Sequence, residues 1–235
     1  MSKISVAIPC YEYQGHGAFA LNYLLETLDT QTFKDFDVVV SDHSLNDNKQ
    51  IEHLCDSWQD KMKIKYLRNS YNRGNASANF NYAMFKSDGE YIKFMCQDDY
   101  FYDEFSLEKI VRSLENDLSK NWLASKYIHA ERERERYTRT HTPSLNYQIY
   151  ITNTIGTPSG VTIKNFGYKL PSFDENLSYA YDCDFYYRFR GAYGDPIILN
   201  EITVVNYLWA ESTTAKITDG RINGENRYIL KKYGL

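Results

Sequence analysis

The chain has 235 residues, 43% of them hydrophobic, enough for one substantial domain with a real core. Its 27 basic and 31 acidic side chains leave a net charge of −4, which supplies no general basic field for nucleic acid. No run approaches the roughly eighteen apolar residues of a membrane span, the N-terminus enters a strand at once, and the four cysteines are scattered without a CxxC pair, so a reducing cytoplasmic setting with no transmembrane segment is expected.

Ile4 to Cys10 reads as a short buried strand, followed by the loop Tyr11 to Gly17 and a helix with Leu21, Leu24, Leu25 and Leu28 on one face. Phe36 to Ser41 is an uninterrupted run rich in β-branched residues that ends at Asp42. A helix near Lys49 to Trp58 leads to a strand at Ile64 to Leu67, a polar loop from Arg68 to Gly74, and a helix carrying Ala78, Tyr82, Ala83 and Phe85. Tyr91 to Cys96 is the fourth strand. Strands alternating with helices over short connections predict a parallel sheet covered on both faces, and hence an α/β nucleotide-binding half over about residues 1–100.

That fourth strand delivers Asp98 and Asp99. In open α/β sheets ligands sit outside the carboxyl ends of the strands, and two carboxylates there suit Mg²⁺ or Mn²⁺ with positions left open for diphosphate oxygens. An isolated Asp-Asp pair also reads as a turn or helix cap before Ser106.

The second part of the chain, 101–235, is less regular. A helix with Leu107, Ile110, Val111 and Leu114 precedes a strand at Trp122 to Ala130. Glu131 to Arg136 reads ERERER, a solvated hairpin arm of mixed charge, with a lid or partner contact as the sharper alternative. TIGTPSG marks a tight loop, and a helix follows with Asp182 and Asp184 at its start. Residues two apart on a helix do not share a face, so only one of these two aspartates can serve a given site. The aromatic composition is unusual, with 22 tyrosines and 12 phenylalanines, densest from Tyr179 to Tyr193; packing is the default, sugar stacking the alternative. A strand at Ile202 to Trp209 leads to a basic terminal helix with Arg221, Arg227, Lys231 and Lys232, whose cations could rest on a membrane surface.

Four stretches in order then carry a resemblance: SVAIPCYE, VVVSDHSLND, NRGNASANFNYAMFKSDGEYIKFMCQDD and FDENLSYAYDCDFYYRF. The chain resembles a family 2 glycosyltransferase of the GT-A fold from Ile4 to about Thr214. The resemblance implies one domain with an open, mostly parallel nucleotide-sugar-binding sheet flanked by helices and a smaller C-terminal acceptor-binding part. It also implies a nucleotide-sugar donor, UDP favoured and dTDP next with GDP open, and a glycan, lipid-linked or other hydroxyl acceptor. Asp42 matches the residue that hydrogen-bonds the nucleobase, and the loop with Pro9, Tyr11 and Glu12 lines its pocket. Asp98 matches a contact to ribose or metal, Asp99 the ligand of the Mn²⁺ or Mg²⁺ ion bridging the diphosphate, and Asp182 the base that takes the proton from the acceptor hydroxyl in an inverting displacement. From pattern alone Asp182 reads equally well as a helix N-cap. Arg73 and Lys86 are candidates to meet phosphates, with surface solvation as the alternative.

The chain departs from the family pattern at Ser41, Cys96, Gln97 and Tyr181, and YLWAESTT lacks a histidine that many relatives carry. A silent sugar- or nucleotide-binding protein that kept the fold is the competing reading. The loop YEYQGHGAFAL has no G-x-G-x-x-G register and no GxxxxGK[ST] occurs, so dehydrogenase and P-loop readings are poor.

Overall fold

The computed structural model describes residues 1–13, 15–45, 49–131, 136–208 and 217–235. Four parallel strands form its first part, β1 (Ile4–Cys10), β2 (Phe36–Asp42), β3 (Ile64–Arg68) and β4 (Tyr91–Phe94). They are joined by three helices, α1 (His16–Asp29), α2 (Gln50–Ser57) and α3 (Ala76–Phe85). After β5 (Tyr100–Phe101) and α4 (Ser106–Asn116) come β6 (Trp122–Glu131), β7 (Arg136–His141) and β8 (Val161–Lys164), then α5 (Tyr181–Tyr193), β9 (Ile197–Tyr207) and α6 (Asp219–Tyr233).

Among the described residues all nine strands belong to one sheet in the order β3-β2-β1-β4-β8-β6-β9-β5, with β7 paired to β6 beside this path. The first four are parallel in register, Ile4 opposite Phe36 and Tyr91. β8 reverses the direction, pairing antiparallel with β4 on one side and β6 on the other.

Alternation along β1 explains the two-sided core. Val6 and Ile8 join Leu21, Leu24 and Leu28 of α1, Ile51 of α2 and Leu107, Ile110 and Leu114 of α4. Ala7 packs on the other face with Phe80 and Met84 of α3, Phe94, Trp122, and Phe185 and Phe189 of α5. Much of the tyrosine and phenylalanine excess is therefore packing: Phe173 stacks on Phe185 at 4.1 Å and Phe166 on Tyr193 at 4.2 Å.

Several boundaries differ from the sequence expectation. β4 stops at Phe94, because the Cys96 N–H leaves the ladder to donate to Ser159 Oγ at 2.8 Å. The last strand begins at Ile197 rather than Ile202, since its first residues pair with Leu123 to Ser125, and Trp209 lies outside the described residues. Of the ERERER arm, Glu131 ends β6 and Arg136 begins β7, the two paired across the ladder, and 132–135 lie outside the described residues. No helix among the described residues is long and apolar enough to cross a membrane. Two of the four cations of the terminal helix make internal ion pairs, Arg221 with Glu225 and Lys232 with Asp174 and Asp184.

Candidate active site

The carboxyl ends of β1, β2 and β4 open into a cleft of about 720 Å³. Pro9, Tyr11, Tyr13, His16, His43, Asn79, Gln97 and Asp98 line it, together with Ser178 before α5 and Thr218 and Arg221 at the start of α6. Its place at the strand ends is where an open α/β sheet binds ligands.

The loop after β1 is held by side chains that point away from solvent. Glu12, 4% exposed, accepts from the Gly15 N–H at 2.6 Å and the Ala18 N–H at 2.8 Å, and so satisfies the start of α1 as a capping residue would. Gly17 lies so close to this loop that a Cβ there would meet the Tyr11 carbonyl at 2.4 Å. Gln97 ties the loop after β4 to the Tyr11 backbone. Asn79 reaches from α3 to the Cys10 carbonyl at 3.0 Å and also pairs with Ser41.

Asp42 is 1% exposed. One oxygen accepts from the N–H and hydroxyl of Ser44, and the other from Tyr66 Oη at 2.8 Å and Arg68 Nη1 at 2.6 Å. Burial pushes its carboxyl up, but these donors outweigh it and hold the group below the ordinary carboxylate range. Its four acceptor positions are filled, so a nucleobase N–H would reach Asp42 only by displacing one of these donors. His43, next in sequence, lies on the cleft wall, with its Nε2 2.8 Å from the Tyr71 carbonyl oxygen.

Asp98 lines the cleft and is half-buried. Asp99 is 1% exposed; its Oδ1 accepts from Asn206 Nδ2 at 2.8 Å and the Tyr207 N–H at 3.0 Å, both on β9, while its Oδ2 is buried with no hydrogen bond of ordinary geometry among the described residues. Burial, and after it the Asp98 charge, pushes the Asp99 carboxyl up to about 7. The turn that presents the pair rests on Ser159, whose carbonyl accepts from the fully buried Lys93 amine of β4.

Asp182 occupies the second residue of α5. It is 8% exposed and accepts from Asn153 Nδ2 at 2.7 Å and the Cys183 N–H at 2.7 Å. Burial pushes its carboxyl up to about 7, in the range of a general base at neutral pH. The N-cap position of α5 is Ala180, which has no side-chain cap, so Asp182 lies inside the first turn and is not the N-cap; Glu225 of α6 takes the N–H groups of the three residues that lead into the helix, Ser178, Tyr179 and Ala180. Asp184, itself fully buried, points elsewhere, to the partly exposed Arg188, Lys232 and Tyr233, and so joins α5 to α6. Burial, and after it nearby charges that include Asp182, Asp98 and Asp99, pushes the Tyr181 phenol well up, so the three carboxyls all lie within electrostatic reach of this one ring. Arg73 is exposed on the loop before α3, next to the cleft residue Gly74; Lys86 is exposed at the end of α3, with its ammonium 5.5 Å from the Tyr82 ring centre.

No group of three or more His, Cys, Asp or Glu side chains able to hold a metal occurs among the described residues. The described residues therefore form no self-sufficient protein cage. What fits is the other mode of Mg²⁺ and Mn²⁺ binding, one or two carboxylates completed by substrate phosphates, for which the cleft-lining Asp98 and Asp99, whose Oδ2 makes no hydrogen bond of ordinary geometry among the described residues, are the candidate groups. Sequence reasoning missed His16, His43, Gln97, Ser178 and Arg221 as parts of the cleft; only the three-dimensional pairing of distant segments reveals them.

The profile of the family described as Glycosyl transferase family 2 matches residues 5–189. An uncharacterized glycosyltransferase of Rickettsia conorii is 29% identical over 102 residues, 42% of this chain and 15% of that protein. The GalNAc(5)-diNAcBac-PP-undecaprenol beta-1,3-glucosyltransferase of Campylobacter jejuni is 29% identical over 100 residues, 42% of this chain and 30% of that protein. The chain thus spans less than a third of the length of these curated relatives. Among solved structures, S. aureus TarS 1-349 in complex with UDP-GlcNAc matches with a TM-score of 0.73 at 18% identity, covering 92% of this chain and 61% of that one. The mannosyltransferase PcManGT from Pyrobaculum calidifontis, in complex with GDP-Man and Mn2+, matches with a TM-score of 0.66 at 14% identity over 91% of this chain and 59% of that one.

Proposed function

The chain belongs to glycosyl transferase family 2 and has the GT-A fold, and from that membership we propose that it moves a sugar, with inversion, from a UDP-sugar to a hydroxyl of a glycan or lipid-linked acceptor. The observation that carries this reading is the strand-end cleft lined by Asp98, with the buried Asp99 next to it in the chain and Asp182 within electrostatic reach of the same Tyr181 ring.

The nucleoside is assigned to the part of the cleft near Pro9, Tyr11 and His43, with Asp42 and Glu12 holding those walls and Arg73 approaching the phosphates from the loop before α3. Asp98, with Asp99 beside it, would hold a divalent cation, which when bound supplies positive charge to the leaving diphosphate. Asp182 takes the proton from the acceptor hydroxyl as that oxygen bonds to the anomeric carbon and the bond from carbon to the diphosphate oxygen breaks. A single displacement of this kind inverts the anomeric centre. Asn153 fixes the direction of the Asp182 carboxyl, and burial keeps it basic enough to accept. The UDP preference draws on the UDP-GlcNAc complex of TarS, and the lipid-linked acceptor on the name of the Campylobacter relative.

Calorimetric titration with UDP, dTDP and GDP, with Mn²⁺ and with chelator, tests the donor half. Metal-dependent binding of UDP ahead of the others is expected, and it should be lost in Asp98→Asn. If none of the three nucleotides binds, the donor-site assignment fails.

A further inference from the structure

We infer that Glu225 is a positioning residue for Asp182, so that the terminal helix α6, which lies beyond the family-matched residues 5–189, is a working part of the active site. This rests on the reading of Asp182 as the base.

The segment that leads into α5 turns three successive N–H groups toward one point, an arrangement that makes an anion-binding nest. Glu225 fills it. Its Oε1 accepts from the Ser178 N–H at 2.9 Å and Ser178 Oγ at 2.8 Å, and its Oε2 from the Tyr179 N–H at 2.9 Å and the Ala180 N–H at 3.0 Å. Arg221 Nε adds a fifth donor at 2.7 Å. The carboxylate is 5% exposed, and although burial opposes its charge, these donors hold it below the ordinary carboxylate range.

The three N–H groups belong to the residues that deliver the chain into α5, with Ala180 as its N-cap, so the carboxylate that takes them fixes the path by which the helix begins. Here the partner comes from 45 residues further along the chain. Asp182, two residues beyond Ala180, is left to bond with Asn153 and a single N–H of the first turn. Ser178, held by the same carboxylate, lines the cleft. One side chain therefore sets both the wall of the cleft and the start of the helix that carries the base. A displacement of about 1 Å at such a group can cost on the order of a hundredfold in rate.

The competing account is that α6 merely packs, through Ile229 against Leu177, Ala180 and Cys183. Turnover separates the two. Glu225→Gln and Glu225→Ala are compared with wild type and Asp182→Asn by nucleotide release from UDP-GlcNAc, UDP-glucose and GDP-mannose, with hydrogen exchange of residues 178–183 measured alongside. The expected result is a loss of about tenfold or more that falls on kcat rather than KM, faster exchange confined to residues 178–183, and partial recovery of Glu225→Ala by sodium acetate but not by sodium chloride of equal ionic strength. Wild-type kcat in folded Glu225 variants, or a loss that acetate does not relieve, overturns the inference. Full activity of Asp182→Asn overturns the assignment of the base instead. If wild type releases nucleotide from none of the three donors, the proposed function has failed, and exchange alone judges the clamp: unchanged protection at residues 178–183 in Glu225→Gln sinks it.

Discussion

Gln97 holds Tyr11 by both faces of its backbone: its Oε1 accepts from the Tyr11 N–H at 2.7 Å and its Nε2 donates to the Tyr11 carbonyl at 2.9 Å. A side-chain amide here mimics a strand partner and joins the loops after β1 and β4 where no backbone ladder reaches. Gln97 was one of the departures from the family pattern, and the clasp gives it a structural reason.

Gln97→Ala removes both bonds and frees the Tyr11 loop. Two neutral hydrogen bonds at about 1 kcal/mol each predict a loss of roughly tenfold or more in UDP affinity, read by calorimetry. Unchanged affinity would mean that this loop does not contact the nucleotide.

Asp98 and Asp99 are chemically alike and differently placed, so their amide variants separate. Asp98→Asn changes a cleft-lining group and is expected to leave the melting temperature near that of wild type while abolishing the Mn²⁺ dependence of UDP binding. Asp99→Asn keeps an acceptor for Asn206 and Tyr207 and removes a buried charge; it should melt higher than wild type at pH 8 and also lose the metal effect. Retention of full Mn²⁺ dependence by both variants would place the cation elsewhere.

Asp182 predicts opposite signs for stability and activity. Its carboxyl titrates near 3.9 in an unfolded chain and is pushed up to about 7 when folded. Between those values the folded chain keeps a proton that the unfolded chain has released, so this group's contribution to stability falls as pH rises from about 4 to 7. Asp182→Asn, neutral throughout, should gain in melting temperature over wild type by on the order of 5 °C more at pH 8 than at pH 5, while turnover is lost at both. A wild-type turnover profile that rises with pH toward a plateau above about 7 is the companion observation.

Arg221 pairs through Nε with Glu225, and its side chain is half exposed at the cleft. Arg221→Ala is expected to weaken UDP binding about three- to tenfold at low salt and less at high salt, as screening removes the difference. Equal affinity at both ionic strengths would show that the guanidinium does not meet the diphosphate.

The readable parts of the molecule are those whose physics is local. The β-branched run of β2 and the leucine face of α1 announce themselves within a few residues, and so do acidic groups placed just past a buried strand. β8 has four residues and β5 two, and both are strands only because distant neighbours pair with them. Glu12 was expected to line the nucleotide pocket, and its carboxylate is engaged at the start of α1; nothing in PCYEYQGHG reveals which N–H groups a carboxylate will find. Glu225 is the extreme case, since its partners at Ser178 to Ala180 become neighbours only when α6 docks on α5. Asp42, Asp98 and Asp182 were legible as a set through the resemblance, whereas the saturation of Asp42 by Ser44, Tyr66 and Arg68 was not.

The reversal of direction at β8 also has a meaning in time. β4 is the last strand of the parallel set to be synthesised, and its free edge is covered by Val161–Lys164, some sixty-five to seventy residues later. At about 5–20 residues per second, the ribosome leaves that apolar edge uncovered for several seconds. During that interval β4 is a template for any passing strand, and the chain's safest partner for it is still being made.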